Sequence, residues 1–330
     1  MGDFVQHNHT VRARLAAVTG ANGFIGRHLL LHLIQQGWSV RILSRKSPSK
    51  FQFPSKIEVF QGDLTKPDMS RLDSFVNGCD AVFHCAGEII EPALMRPLHV
   101  DGTAALAAAS AGRIGRWVQL SSTGVYGAHR IGTVSENTKV APLGVYEETK
   151  FQAEQIVVLS GAEEKFECVI LRPSIVFGED MPNQSLRQLL HSIRNNRFFF
   201  IGTPGSSANF IHVKDLARAM VDCATNPNAI GKVYNVSGWT TFELFVGALA
   251  EGAGVATPRI RLPETPVRLA VSILSCLPGV PLTAARVDAM TGRTRYAVDA
   301  IQQDVGFVLT SSLEESARNL AKVWSQRCID

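Results

Sequence analysis

The sequence predicts an α/β fold, a doubly wound parallel sheet with a smaller C-terminal lobe, on three observations. Short β-branched runs alternate with helical segments from Leu15 to Leu171, the pattern of a parallel sheet wound by right-handed crossovers. Three glycines, Gly20, Gly23 and Gly26, follow the first of these runs and open the first helix. After Gly178 the alternation weakens, and a proline-rich, irregular stretch at 258–281 marks a change of texture.

Taken in order, Leu15–Thr19 is the first strand, and Phe24–Gln36 a helix stopped by Gly37. Ser39–Leu43 is the second strand, Ile57–Phe60 the third, and Ala81–Cys85 the fourth, bounded by Gly87. The alanine-rich run Thr103–Ala111 is a helix, since alanine is the best helix former. Trp117–Ser121 is the fifth strand and Val145–Leu159 a helix. Cys168–Leu171 is the sixth strand, ended by Arg172-Pro173 because proline cannot donate to a ladder. Further on, Asn183–Asn196 reads as a helix, and Phe198–Ile201, Phe210–Val213 and Val233–Val236 as strands. The division expected is a nucleotide-binding domain of residues 1–178 with a returning segment 209–237, and a substrate lobe of residues 179–208 and 238–330.

The 330 residues are 45% hydrophobic, ample for a large core. A net charge of +4 with dispersed Lys and Arg leaves no footprint for nucleic acid. The first 14 residues are polar and lack the apolar core of a signal peptide, so a cytoplasmic location is expected. The six cysteines show no CxxC spacing and read as buried free thiols of a reducing compartment, and no metal site is expected. The longest apolar stretch, Val267–Val280, is too short and too broken to span a bilayer, which needs about 20 apolar residues. It reads as a buried or lid helix, with a homodimer or membrane-surface contact as the other reading.

The glycine loop has a physical purpose. Gly20 allows a sharp turn, Gly23 lets backbone approach a pyrophosphate, and Gly26 lets the helix pack close to the strand. The helix N-terminus then offers free N–H groups and its positive dipole end, the phosphate site of a Rossmann-type fold. Asn22, Phe24 and Ile25 complete the loop. An NAD-selective site uses a carboxylate at the end of the second strand. Here Ser44-Arg45-Lys46 stand there, which favours the 2′-phosphate of NADP over NAD.

The second motif is Tyr146-Glu147-Glu148-Thr149-Lys150, which sets a phenol and an ammonium one helical turn apart. Such an ammonium is expected to lie near the phenolic oxygen and favour phenolate, bringing a group with a pKa near 10 into range for proton transfer.

Together these motifs resemble the extended branch of the short-chain dehydrogenase/reductase (SDR) superfamily, the epimerases, dehydratases and reductases. The resemblance continues through Gly62-Asp63-Leu64, where the family sets an Asp against the adenine, and His84-Cys85-Ala86-Gly87, similar to its turn beside the cofactor. Ser121–Gly127 resembles its catalytic-serine segment, Leu171–Gly178 its later cofactor-side turn through Pro173, and Phe210–Asp215 its "fIHVxD" segment. The resemblance implies catalytic roles for Ser122, Tyr146 and Lys150, with Ser122 rather than Ser121 in the family's register and Lys150 also on the nicotinamide ribose. His84 and His212 read as structural.

The chain departs from the family pattern at three places. His99 stands in His99-Val100-Asp101-Gly102-Thr103 where Asn is usual. Thr123-Gly124 follow the serine where a dehydratase carries an acidic pair. Ala208-Asn209 precede Phe210 where sugar-nucleotide enzymes often have an Arg, so Arg187, Arg194 or Arg197 would have to substitute. The expected function is hydride transfer between NAD(P) and a carbonyl or carbinol carbon, most simply reduction of a keto-sugar nucleotide or similar polar ketone. A sugar-nucleotide epimerase using the same residues and a non-catalytic NAD(P)-sensing protein are the alternatives.

Overall fold

The computed structural model of the chain describes residues 13–46, 57–163, 165–274 and 282–326. Its first half runs β1 (Leu15–Thr19), α1 (Phe24–Gln35), β2 (Ser39–Ser44), β3 (Ile57–Gln61), α2 (Met69–Val76), β4 (Ala81–His84), α3 (Pro92–Arg96) and α4 (Gly102–Ser110). The chain continues with β5 (Arg116–Leu120), β6 (Ile131–Val134), α5 (Val145–Ala162), β7 (Glu167–Pro173) and β8 (Ile175–Phe177). Next come α6 (Ser185–Arg194), β9 (Phe200–Ile201), β10 (Ser207–His212), α7 (Val213–Thr225), β11 (Val233–Val236), β12 (Gly238–Thr241) and α8 (Phe242–Gly252). The last elements are β13 (Arg261–Leu262), α9 (Glu264–Leu274), α10 (Ala284–Thr291), β14 (Arg293–Tyr296), α11 (Asp299–Val305) and α12 (Leu313–Gln326).

Seven strands form one sheet in the order β11-β7-β5-β4-β1-β2-β3, every pair parallel. Strand order reverses between β1 and β4, whose last paired residues are Thr19 and His84. In such a sheet the crevice at the carboxyl ends of these two strands is where a ligand binds. Both faces are covered, which explains why β1 and β4 are buried and apolar rather than alternating. In β1, Ala16 and Val18 enter the core beneath α1 and α7, while Ala17 enters the opposite core beneath α2 and α4. Leu29, Leu33, Leu216 and Met220 close the first face, and Leu72, Phe75 and Leu106 the second. Each contributes about 1.5–3 kcal/mol of burial.

A further cluster joins β8 and β10 to α6, α8 and α12 through Phe177, Leu190, Phe210, Phe245 and Trp324. The Phe210 and Phe245 rings stack at 4.5 Å. Two short parallel pairs, β6 with β14 and β9 with β13, tie the last third of the chain back to its middle.

Several elements differ from the sequence reading. β7 runs on to Pro173 instead of stopping at Leu171, because β5 leaves its side at Leu171 and the missing proline N–H faces no partner there. The stretch read as irregular contains α9, whose Pro266 falls in the first turn, where no intrahelical N–H is needed. Val267 and Val271 are buried and Leu269 and Ile273 exposed on this helix, while residues 275–280 lie outside the described residues. Cys79, Cys168 and Cys223 are buried free thiols and Cys85 is half-buried; Cys276 and Cys328 lie outside the described residues. Among the described residues no helix is long and apolar enough to cross a membrane.

Candidate active site

A crevice of about 380 Å³ opens at the reversal point of the sheet. Of the residues expected to hold a dinucleotide, Gly20, Asn22, Gly23, Ser44, Arg45, Lys46, Asp63, Leu64, Cys85, Ala86 and Gly87 line it. Thr19, Leu43, Gly62, Thr65 and Leu98 line it as well. Of these, Thr19 precedes the glycine loop and Gly62 opens the Gly62-Asp63-Leu64 motif, whereas nothing in the sequence pattern marks Leu43, Thr65 and Leu98.

Two glycines have no alternative. Gly20 sits at φ +68°, and a Cβ there would lie 2.7 Å from backbone atoms of Cys85 and Ala86. A Cβ on Gly26 would lie 2.1 Å from the Gly20 carbonyl oxygen, so α1 meets β1 at a distance only glycine permits. Gly26 therefore acts by packing and is not on the crevice wall. Phe24 packs edge-on against His28 at 5.6 Å, and Ile25 against the central core, so their side chains also support the loop from behind. Pro173 is buried at the end of β7.

The crevice fits a dinucleotide pyrophosphate. Helix α1 starts at Gly23 with no side-chain cap and no acidic residue in its first turn, so its N-terminal N–H groups face the crevice without competition. Ser44 Oγ accepts from Asn22 Nδ2 at 3.0 Å and from the Lys46 backbone N–H at 3.1 Å, locking the end of β2 to the loop. Arg45 and Lys46 are exposed at its rim. Asp63 Oδ1 accepts from the backbone N–H and hydroxyl of Thr65, both at 2.9 Å.

A buried chain of hydrogen bonds fixes the two turns against each other. Thr103 donates its hydroxyl to the His99 carbonyl, so it must accept from His84 Nε2 at 3.0 Å. His84 Nδ1 then accepts from Thr19 Oγ1 at 2.7 Å, and Thr19 Oγ1 accepts from the Ala86 backbone N–H at 3.2 Å. Burial, with Lys150 adding, pushes His84 down to about 3, so it is neutral. His212 accepts from the Lys214 N–H at the start of α7.

Ser122 follows β5, and Lys150 on α5 sends its Nζ to Leu120, the last residue of β5, while Tyr146 stands one turn earlier on α5 with its ring against His99; none of the three lines the crevice wall. Ser122 is half-buried and accepts from the Gly124 backbone N–H at 3.0 Å. Its neighbour Ser121 is committed elsewhere, donating to the buried Glu154 carboxylate. Lys150 is buried, and its Nζ donates to the Leu120 carbonyl. Burial pushes Lys150 down to about 8, with Glu154 and then Cys85 opposing.

One expectation is corrected. The phenol of Tyr146 is not brought toward neutrality by Lys150; burial first, and then the adjacent Glu147, push it up to about 12. The ammonium is directed at the end of β5 instead, where the Leu120 carbonyl accepts its hydrogen bond.

His99 replaces the family's Asn with a defined set of contacts. Its Nε2 accepts from the Glu88 backbone N–H at 2.9 Å, which leaves Nδ1 as the donor to Thr149 Oγ1 at 2.8 Å. Thr149 passes its own proton to the Val145 carbonyl at 2.7 Å. The ring meets Tyr146 edge-on, centroids 5.7 Å apart and planes at 80°. Burial, with Lys150 adding, pushes His99 down to about 3, so it positions as a neutral ring. Among the described residues no cluster of His, Cys, Asp and Glu is arranged to hold a metal ion.

Residues 16–237 match the NAD dependent epimerase/dehydratase family. The chain is 30% identical over 300 residues to a 4-hydroxy-2-methyl-3-oxo-4-farnesyl-3,4-dihydroquinoline-1-oxide ketoreductase of Stigmatella aurantiaca, covering 87% of this chain and 86% of that one. It is 30% identical over 285 residues to a ceramide reductase of Caulobacter vibrioides, covering 85% and 79%. Among solved structures it is similar in fold to a UDP-glucuronic acid 4-epimerase of Bacillus cereus in complex with NAD, with TM-score 0.72, 20% identity and coverage of 94% and 99%. With its glycine loop on the switch point of a seven-stranded parallel sheet, the chain belongs to the NAD-dependent epimerase/dehydratase family and is an extended SDR enzyme.

Proposed function

We propose that this enzyme reduces a ketone at the expense of NADPH. The observation that carries the reading is Lys150 Nζ on Leu120, two residues before Ser122 and one helical turn after Tyr146, together with a crevice whose rim presents Arg45 and Lys46 and no carboxylate from the end of β2. The cofactor, when bound, supplies the hydride to the carbonyl carbon. Tyr146 Oη gives its proton to the carbonyl oxygen as the C=O pair becomes a C–O–H, and the phenol, pushed up to about 12, carries that proton at neutral pH. Ser122 orients the oxygen. Lys150, brought to about 8, holds an exchangeable proton at Nζ near the Tyr146 turn and would engage the nicotinamide ribose. The names of two relatives at 30% identity that cover most of this chain, both reductases, support this direction.

A keto-sugar nucleotide and a plain ketone would present the same carbonyl. Two facts favour a ketone without a diphosphate. Asn209, where sugar-nucleotide enzymes often have an Arg, gives its amide to the Thr294 carbonyl at 2.8 Å. Arg187 donates to the Glu179 carbonyl and lies 4.3 Å from the Trp324 ring centre. The decisive test is NADPH consumption with a panel of ketones. Interconversion of stereoisomers without added cofactor or net cofactor oxidation would establish an epimerase instead.

Cofactor choice has its own test. Arg45→Ala should raise the KM for NADPH by about 10- to 100-fold, the worth of a charge-assisted phosphate contact, and leave the KM for NADH unchanged. Equal use of NADPH and NADH by the wild type and by the variant would refute the NADPH assignment.

A further inference from the structure

The turn after β4 presents the most exposed isoleucine in the described chain beside the proposed proton donor. Ile89 and Ile90 are 62% and 84% exposed, on consecutive residues. Neighbouring exposed apolar side chains that form one patch mark an interaction site. Here the turn is held. The Glu88 carboxylate Oε1 accepts the backbone N–H groups of Ile89, Ile90 and Glu91, at 2.9, 2.8 and 3.2 Å. Those bonds, Ile90 first, keep the Glu88 carboxyl below its usual range and so charged around neutrality.

The same turn is tied to the site from its other side. The Glu88 backbone N–H is bound by His99 Nε2, and the His99 ring lies against Tyr146. The isoleucines therefore follow directly on a residue that is one ring away from the proton donor. Leu143 and Val145, 73% and 49% exposed, lead into α5 just before Tyr146. Leu94, 38% exposed, lies on α3, which packs against α5. Polar sugars and phosphates gain nothing from exposed isoleucines. A hydrocarbon chain laid on Ile89 and Ile90 gains their burial.

We propose that Ile89 and Ile90, on the Glu88-clamped turn, form a preorganised seat for a hydrocarbon segment of the substrate, so that the ketone reduced is a lipophilic one. This rests on the ketone-reductase reading and names the substrate class for the same site. The backbone of the seat is held before the substrate arrives, so little backbone ordering is required when the chain is buried against it.

The test pairs a short water-soluble ketone with the same ketone extended by an unbranched alkyl chain. Wild type should show a kcat/KM for the long ketone at least about 10-fold above that for the short one. Ile89→Ser with Ile90→Ser should erase that preference, chiefly through KM, and leave turnover of the short ketone unchanged. Both side chains are exposed, so the double variant keeps its folded core; its melting temperature checks this. Calorimetric binding of the long ketone supplies a readout independent of turnover, and a negative ΔCp that disappears in the double variant supports the seat. Binding so altered without NADPH oxidation would sink the reductase reading but keep the seat. Reduction of both ketones with no chain-length preference would overturn the seat and keep the reductase. A change of oligomeric state in the double variant with long-ketone binding unaltered would also overturn the seat, assigning the isoleucines to a contact between copies of the chain.

Discussion

Tyr146→Phe is expected to lower kcat by about 10²- to 10⁴-fold, the usual worth of a general acid, while leaving the Kd of NADPH unchanged. The substitution removes only the Oη proposed to give the proton. The ring remains, and it is the ring that packs edge-on against His99, so the variant should keep its fold and melting temperature. Lys150→Ala behaves differently in the proposed reaction. It removes a buried cation that binds the Leu120 carbonyl at the end of β5 and that would engage the cofactor ribose, so turnover and cofactor affinity fall together. The contrast between the two variants is the diagnostic. Retention by the Phe variant of more than about a tenth of wild-type activity would remove Tyr146 from the proton-donor role.

How much of this site was readable depended on how far apart in the chain the partners stand. The glycine loop was readable because strand, turn and helix are contiguous, so spacing alone specifies where Gly20, Gly23 and Gly26 lie. Tyr146 and Lys150 were readable for the same reason, being one helical turn apart. The function of His99 was not. Its contacts, Glu88 and Thr149, lie 11 and 50 positions away, and only the packed fold brings them to one ring. The β6–β14 pairing was hidden likewise, because β6 is short and largely exposed, without the buried apolar run that marked the central strands.

The expected depression of the Tyr146 phenol failed for a physical reason. A helical repeat sets the Cα spacing of Tyr and Lys but does not say where a long flexible side chain ends. Lys150 reaches back to the Leu120 carbonyl, and a buried phenol beside Glu147 then has every reason to stay protonated. For a residue that must donate a proton, that is the useful state.

Glu154→Ala is expected to be the most damaging change away from the reacting groups, costing about 3–5 kcal/mol of stability. Glu154 and Arg172 have side chains only 3% and 6% exposed, and the guanidinium binds both carboxylate oxygens, at 3.0 and 2.6 Å. Ser121 donates to the same carboxylate, and the Arg172 guanidinium carbon lies 4.8 Å from the Tyr126 ring centre. Removing Glu154 alone strands the Arg172 charge in the core beside Ser121. At about 2 °C per kcal/mol for a chain of this size, Tm should fall by roughly 6–10 °C. Replacing both partners, Glu154→Leu with Arg172→Met, should recover most of that loss, because a buried pair is close to neutral against well-packed apolar residues. A single-variant loss below about 1 kcal/mol would show that the pair is solvated and the argument wrong. The pair also reaches the chemistry. Glu154 opposes the burial that depresses Lys150, so Glu154→Gln should take Lys150 below about 8. The ammonium is then lost at lower pH, and the alkaline limb of cofactor binding should move to lower pH, with Lys150→Arg removing that limb because a guanidinium stays charged throughout.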